Sequence, residues 1–177
     1  MLDQVFGVPA HPLLVHIPVV FIPLTLMIAV LAVAWGRGRK VLSLVVLGCA
    51  TVGMLFAQLA VMSGESLEER VREDSLIGQH AELGEGTRTF AILVFLIAVA
   101  FVVREWRGGL RLRLAERAGA LLAPRGIGIA ISVALLASAA LTTVWVVRTG
   151  HVGAKAVWNE RTLNAAEGGQ PGGGDGD

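Results

Sequence analysis

Four apolar runs decide what this chain can become. Val41–Ser63 and Gly126–Val147 contain no Asp, Glu, Lys, Arg or His, and Leu13–Trp35 contains one ionisable residue, His16. Each is long enough to cross a hydrocarbon core roughly 30 Å thick, which takes about 20 helical residues. In lipid every backbone donor and acceptor must be satisfied within the segment, so such runs fold as α-helices. The remaining run, Phe90–Val103, is too short to cross alone. It spans only if its helix begins near Ile77 and takes Glu82, Glu85 and Arg88 into or near the membrane.

Composition agrees. With 54% hydrophobic residues against 16% charged, the 177-residue chain is too apolar for an ordinary soluble domain. A net charge of +1 gives no basic surplus for nucleic acid. Cys49, the single cysteine, lies between Gly48 and Ala50 and reads as a small packing residue; no disulfide forms within the chain. The expected fold is all-α, a polytopic membrane protein with a four-transmembrane-helix bundle. Its helices are expected at about 13–35, 41–63, 77–103 and 126–148, within a domain over residues 1–160. The Gly-rich end, 161–177, closing on GGQPGGGDGD, is expected to be a disordered tail.

Charge sets the expected orientation. The link between the first two spans carries Arg37, Arg39 and Lys40, and that between the last two carries Arg104, Arg107, Arg111, Arg113, Arg117 and Arg125. The link after the second span carries only Arg70 and Arg72, against Glu65, Glu68, Glu69, Glu73 and Asp74. Positive loops stay in the cytoplasm, so both termini are expected to be extracytoplasmic. The first span lacks a basic leader, Asp3 being the only charge before it, and reads as a retained helix rather than a cleaved signal. The loop RGGLRLRLAERAGALLAPRG suits a short amphipathic helix on the inner surface, its arginines near lipid head groups.

In this topology all four histidines, His11, His16, His80 and His151, fall near the outer ends of their helices. His16 outranks His11, because Pro12 places His11 in a turn leading into the first helix. Pro18 and Pro23 each remove a backbone donor and read as kinks. Along the third helix a 3.6-residue period puts His80, Gly84, Arg88, Ala91 and Phe95 on one face. Arg88 lies about 12 Å further in than His80, and a charge there needs an interior partner. Arg148 and His151 lie three apart beside Gly150 and Gly153. The plainer reading is that histidines at a membrane interface simply hydrogen-bond in the polar zone.

Four blocks, GVPAHPLLVHIP, SGESLEERV, QHAELGEGT and RTGHVGAKAVW, together resemble the bacterial "domain of unknown function 2231" family of four-helix predicted membrane proteins, frequent in actinobacteria. The resemblance covers about residues 7–158. It implies a four-helix membrane bundle with its motif residues at one end. Fusion of other members to Rieske-type and other redox modules implies electron transfer, although this chain carries no such module. His11, His16, Glu65, His80 and His151 all lie in the family's blocks.

The expected function is a membrane-embedded haem b electron-transfer protein of the bacterial inner (plasma) membrane, its His-lined site at the extracytoplasmic face. Two imidazoles from facing helices can ligate one iron. His80 is one expected ligand and His16 or His151 the other, with Gly84 making room and Arg88 and Arg148 meeting propionates. The chain has no CxxCH, which excludes covalent haem. Two alternatives stand beside this. One is a non-haem site for a divalent metal such as Zn, Fe or Cu, built from His16, Glu65, His80 and His151. The other is an accessory subunit of a larger redox or respiratory membrane complex, its polar cluster serving helix packing, with self-association an option. An electron carrier or accessory subunit fits better than a stand-alone enzyme: there is no P-loop, GxGxxG or serine-hydrolase elbow.

Overall fold

A computed structural model describes residues 4–5, 8–68, 75–107 and 113–168. A two-residue antiparallel pair, β1 (Gln4–Val5) and β2 (Val8–Pro9), precedes the helices. These are α1 (Ala10–Leu14), α2 (His16–Ala34), α3 (Arg39–Glu68), α4 (Ser75–Glu105), α5 (Arg113–Leu121) and α6 (Arg125–Gly168). Four stretches are long and apolar enough to cross a membrane: Ala10–Ala34, Arg39–Ser66, Ser75–Glu105 and Arg125–Trp158. The all-α four-span architecture expected from the sequence is therefore the one observed.

Proline chemistry shapes the first span. Pro18 offers no N–H to the carbonyl four residues back, Leu14, and its ring crowds that carbonyl. The hydrogen-bond ladder accordingly lapses at Val15, which divides α1 from α2, while Val15 keeps helical dihedrals (φ −66°, ψ −23°) and the span runs on from Ala10 to Ala34. Pro23 is accommodated within α2. The GRGR turn after Trp35 ends α2, and Arg39 donates to the carbonyls of Ala32 (3.2 Å) and Val33 (3.1 Å), two of the acceptors left open at a helix C-terminus.

The third span begins at Ser75, so a single α4 carries Glu82, Glu85 and Arg88, as its short apolar run requires. The last helix departs from expectation. Nothing after Arg148 breaks a helix, and single glycines cost only about 1 kcal/mol each. α6 therefore runs through Gly150 and Gly153 to Gly168 rather than ending at 148, and residues 161–168, assigned above to the tail, are helical. The tail from residue 169 onward lies outside the described residues.

α2 packs on α3 and α6, and α4 packs on α3 and α6, so α2 and α4 face each other across the bundle diagonal. The core is built from small residues, Ala29, Ala32, Ala50, Ala98 and Ala139, around Val46, Phe101 and Leu135. Small side chains let helix backbones approach closely, and dispersion then replaces the hydrophobic drive that lipid removes. Large apolar side chains such as Val20, Met27, Leu55, Leu96, Val133 and Val147 point outward and stay exposed. Such a surface needs a bilayer around it. α3, with 30 residues, is about 45 Å long and exceeds the hydrocarbon core, which leaves its ends at head-group depth.

Candidate functional site

One end of the bundle brings two imidazoles together. The rings of His11 in α1 and His80 in α4 meet edge to face, with centroids 5.9 Å apart and an interplanar angle of 87°. α1 leads directly into α2, so the pair closes the bundle across its diagonal. His80 lies in the second turn of α4, near the end of the bundle.

Each ring is held by a backbone carbonyl of the neighbouring helix. His11 Nδ1 lies 2.8 Å from the Ala60 carbonyl and 3.3 Å from Ser63 Oγ. His80 Nδ1 lies 3.0 Å from the Thr149 carbonyl. A carbonyl only accepts, so both Nδ1 atoms carry a proton, and in the neutral ring the lone pair is then on Nε2. Neither Nε2 is hydrogen-bonded among the described residues. A backbone carbonyl on Nδ1–H with Nε2 left bare is the arrangement that orients a metal-ligating histidine.

Glycines make the seats. A Cβ on Gly64 would sit 3.1 Å from His11 Cε1, and one on Gly153 would sit 2.8 Å from His80 Nδ1 and Cε1. Each ring thus lies almost on the backbone of the adjacent helix. Behind His80, Thr149 Oγ1 and Thr87 Oγ1 are 2.9 Å apart, and Thr149 Oγ1 also reaches the carbonyls of Trp145 and Leu83. One turn further along α6, the Trp145 indole N–H is buried without an acceptor, packed on the backbone of Gly86. Phe90 meets that indole edge on at 5.1 Å, and the Arg148 guanidinium covers it at 5.5 Å.

The residues singled out from sequence divide here. His80 is in the pair. Its partner is His11, ranked lowest beforehand, rather than His16 or His151. His16 is exposed and its Nδ1 meets the Pro12 carbonyl of its own helical turn, at 2.5 Å. His151 is exposed and lies within α6, not beyond its end. Glu65 is exposed, and no three of His, Cys, Asp or Glu are grouped to hold a metal ion among the described residues. The four-ligand set His16, Glu65, His80 and His151 is therefore not assembled. Gly84 has open space, its nearest neighbour being Val61 at 3.9 Å. Arg88 is half-buried, and Arg148 stacks on Trp145. Sequence reasoning missed His11, Gly64 and Gly153. The signal available was that all three lie in the quoted blocks, His11 in GVPAHPLLVHIP, Gly64 in SGESLEERV and Gly153 in RTGHVGAKAVW.

A polytopic four-helix bundle with an imidazole pair at one end defines the class of membrane protein. The family model described as "Predicted membrane protein (DUF2231)" matches residues 7–166, and the chain belongs to that family. No curated protein and no solved structure matches it.

Proposed function

We propose that this protein is a haem b electron carrier of the bacterial inner membrane, in which His11 and His80 would hold the haem. The observation that carries the reading is the pair itself: two imidazoles from diagonal helices, each fixed through Nδ1–H and each with an Nε2 that meets no hydrogen-bond partner among the described residues. At 5.9 Å and 87° the two rings touch edge to face, so a group held between their Nε2 atoms would have to part them.

The donor count favours haem over a bare ion. Zinc in a protein site asks for three or four protein ligands, whereas haem supplies its own equatorial nitrogens and asks for two axial groups. Bound haem would supply one-electron chemistry. The chain's own work is to hold both Nδ1 protons on carbonyls, to seat the rings on Gly64 and Gly153, and to keep Nε2 available.

By the excess of Lys and Arg, the α2–α3 and α4–α6 links face the cytoplasm, and the histidine pair faces outward. There the carrier would exchange electrons with a larger redox complex. Close contact of the two rings favours one second reading, a copper, iron or zinc ion on the same pair with water completing its shell. A bare ion requires less displacement of α1 than a macrocycle does.

The test is an absorption spectrum of the full chain, expressed with ample haem and purified in detergent, oxidised and then dithionite-reduced. Sharp reduced α and β bands with a shifted Soret are expected. A flat spectrum sinks the haem reading, and metal analysis of the same sample then decides the second.

A further inference from the structure

The opposite end of the bundle carries a different chemistry. Arg37, Arg39, Lys40, Arg104, Arg107, Arg117 and Arg125 are gathered there on the α2–α3 turn, the end of α4, α5 and the start of α6. Four of these cations are committed. Arg39 caps Ala32 and Val33 and reaches Glu105 at 4.0 Å. Arg104 lies 3.9 Å from Glu105 and donates to the carbonyls of Leu122 and Pro124, while Arg107 donates to Ala123. Lys40 covers the Trp106 ring at 4.7 Å.

Arg37, Arg117 and Arg125 are exposed and make no hydrogen bond or ion pair among the described residues. Glu105 is the acidic side chain described at this end, and Arg39 and Arg104 already share it. The same end carries interfacial markers. Trp35 is exposed, Trp106 donates to the Lys40 carbonyl at 3.0 Å, and Leu121 of α5 is 75% exposed beside Arg117. A short helix offering both an exposed arginine and an exposed leucine has the character of an element that lies in the head-group layer.

We infer that this end is a binding surface for anionic phospholipid head groups, held by Arg37, Arg117 and Arg125, with α5 lying in the interface. Charge complementarity chooses the occupant: three unspent guanidiniums at head-group depth, ringed by tryptophan and leucine, fit lipid phosphates embedded in a leaflet. Guanidinium forks match phosphate oxygens two at a time.

The experiment uses the full chain in phosphatidylcholine bilayers containing spin-labelled phosphatidylglycerol or spin-labelled phosphatidylcholine. The expected result is preferential association of the anionic label, weakening as salt rises. The triple variant R37Q/R117Q/R125Q should lose most of that preference, at about fivefold per arginine at most. R39Q and R104Q, whose side chains are committed within the fold, should keep it if they fold. No preference in the wild type, or an undiminished one in a folded triple variant, overturns the inference. So does abolition of the preference by millimolar inorganic phosphate at constant ionic strength, which would make the site one for free anions. If the triple variant fails to insert, the single variants R37Q, R117Q and R125Q carry the same test. The outcome is independent of whether the histidine pair binds haem.

Discussion

His11 and His80 stand ring to ring across the bundle diagonal, each tied by its Nδ1–H to a carbonyl of the helix beside it. That relationship separates the two central histidines from the two exposed ones, and it makes a sharp prediction. His11→Ala and His80→Ala should each abolish the reduced α and β bands, while His16→Ala and His151→Ala should leave them. A difference spectrum on the four variants, normalised to protein, checks this. Loss in His16→Ala or His151→Ala alone would move the ligand assignment to that residue.

The glycine seats predict an asymmetry among small substitutions. Gly153→Ala puts a methyl group 2.8 Å from the His80 ring, where neither the ring nor the α6 backbone has room to yield freely. Overpacking of this kind costs about 1–3 kcal/mol. Gly84→Ala meets only Val61 at 3.9 Å, so the helix-propensity gain of up to about 1 kcal/mol should prevail. Thermal unfolding in detergent should therefore rank Gly84→Ala at or above wild type and Gly153→Ala below it. Equal loss from both would show that the ring seat is not tight.

Thr87 and Thr149 join α4 to α6 behind His80, their hydroxyl oxygens 2.9 Å apart. Interhelical hydrogen bonds in membrane proteins average about 0.6 kcal/mol and reach about 1.7. A double-mutant cycle with Thr87→Val and Thr149→Val should give a coupling within that span. Both variants keep the Thr149 backbone carbonyl, so the His80 anchor should persist in each. Additive losses would mean that the two hydroxyls act independently, each through its own helix carbonyl.

The spans were legible because their physics is one-dimensional. Charge-free runs such as Val41–Ser63 and Gly126–Val147 have one outcome in lipid, and the polar start of α4 follows from the shortness of Phe90–Val103. The imidazole pair was half legible. His80 stands out on a helix, but choosing its partner depends on three-dimensional facts. Pro12 argued that His11 sat in a turn leading into the first helix, whereas His11 lies within α1 and its ring reaches Ala60 and Ser63. His16, deeper in sequence, faces outward instead. Gly153 stands out in sequence only as a neighbour of His151, and in the structure it clears space for the His80 imidazole while α6 continues.

At the arginine-rich end, neighbours in sequence should behave differently on mutation. Arg39 donates to two carbonyls at the end of α2, approaches Glu105 and lies over the Phe101 ring at 6.0 Å. Removing it strands those carbonyls and leaves Glu105 with Arg104 alone. The cost of orphaned acceptors is about 1–3 kcal/mol, discounted because the Arg39–Glu105 pair is long and partly exposed. Arg37 is exposed in the turn, and a surface change of that kind stays within about 0.5 kcal/mol. Arg39→Ala should thus lower the unfolding midpoint clearly and Arg37→Ala hardly at all, measured in phosphatidylcholine, where the head groups carry no net charge. If Arg37→Ala proved the more costly there, the turn would be held by contacts other than the carbonyl caps that Arg39 provides.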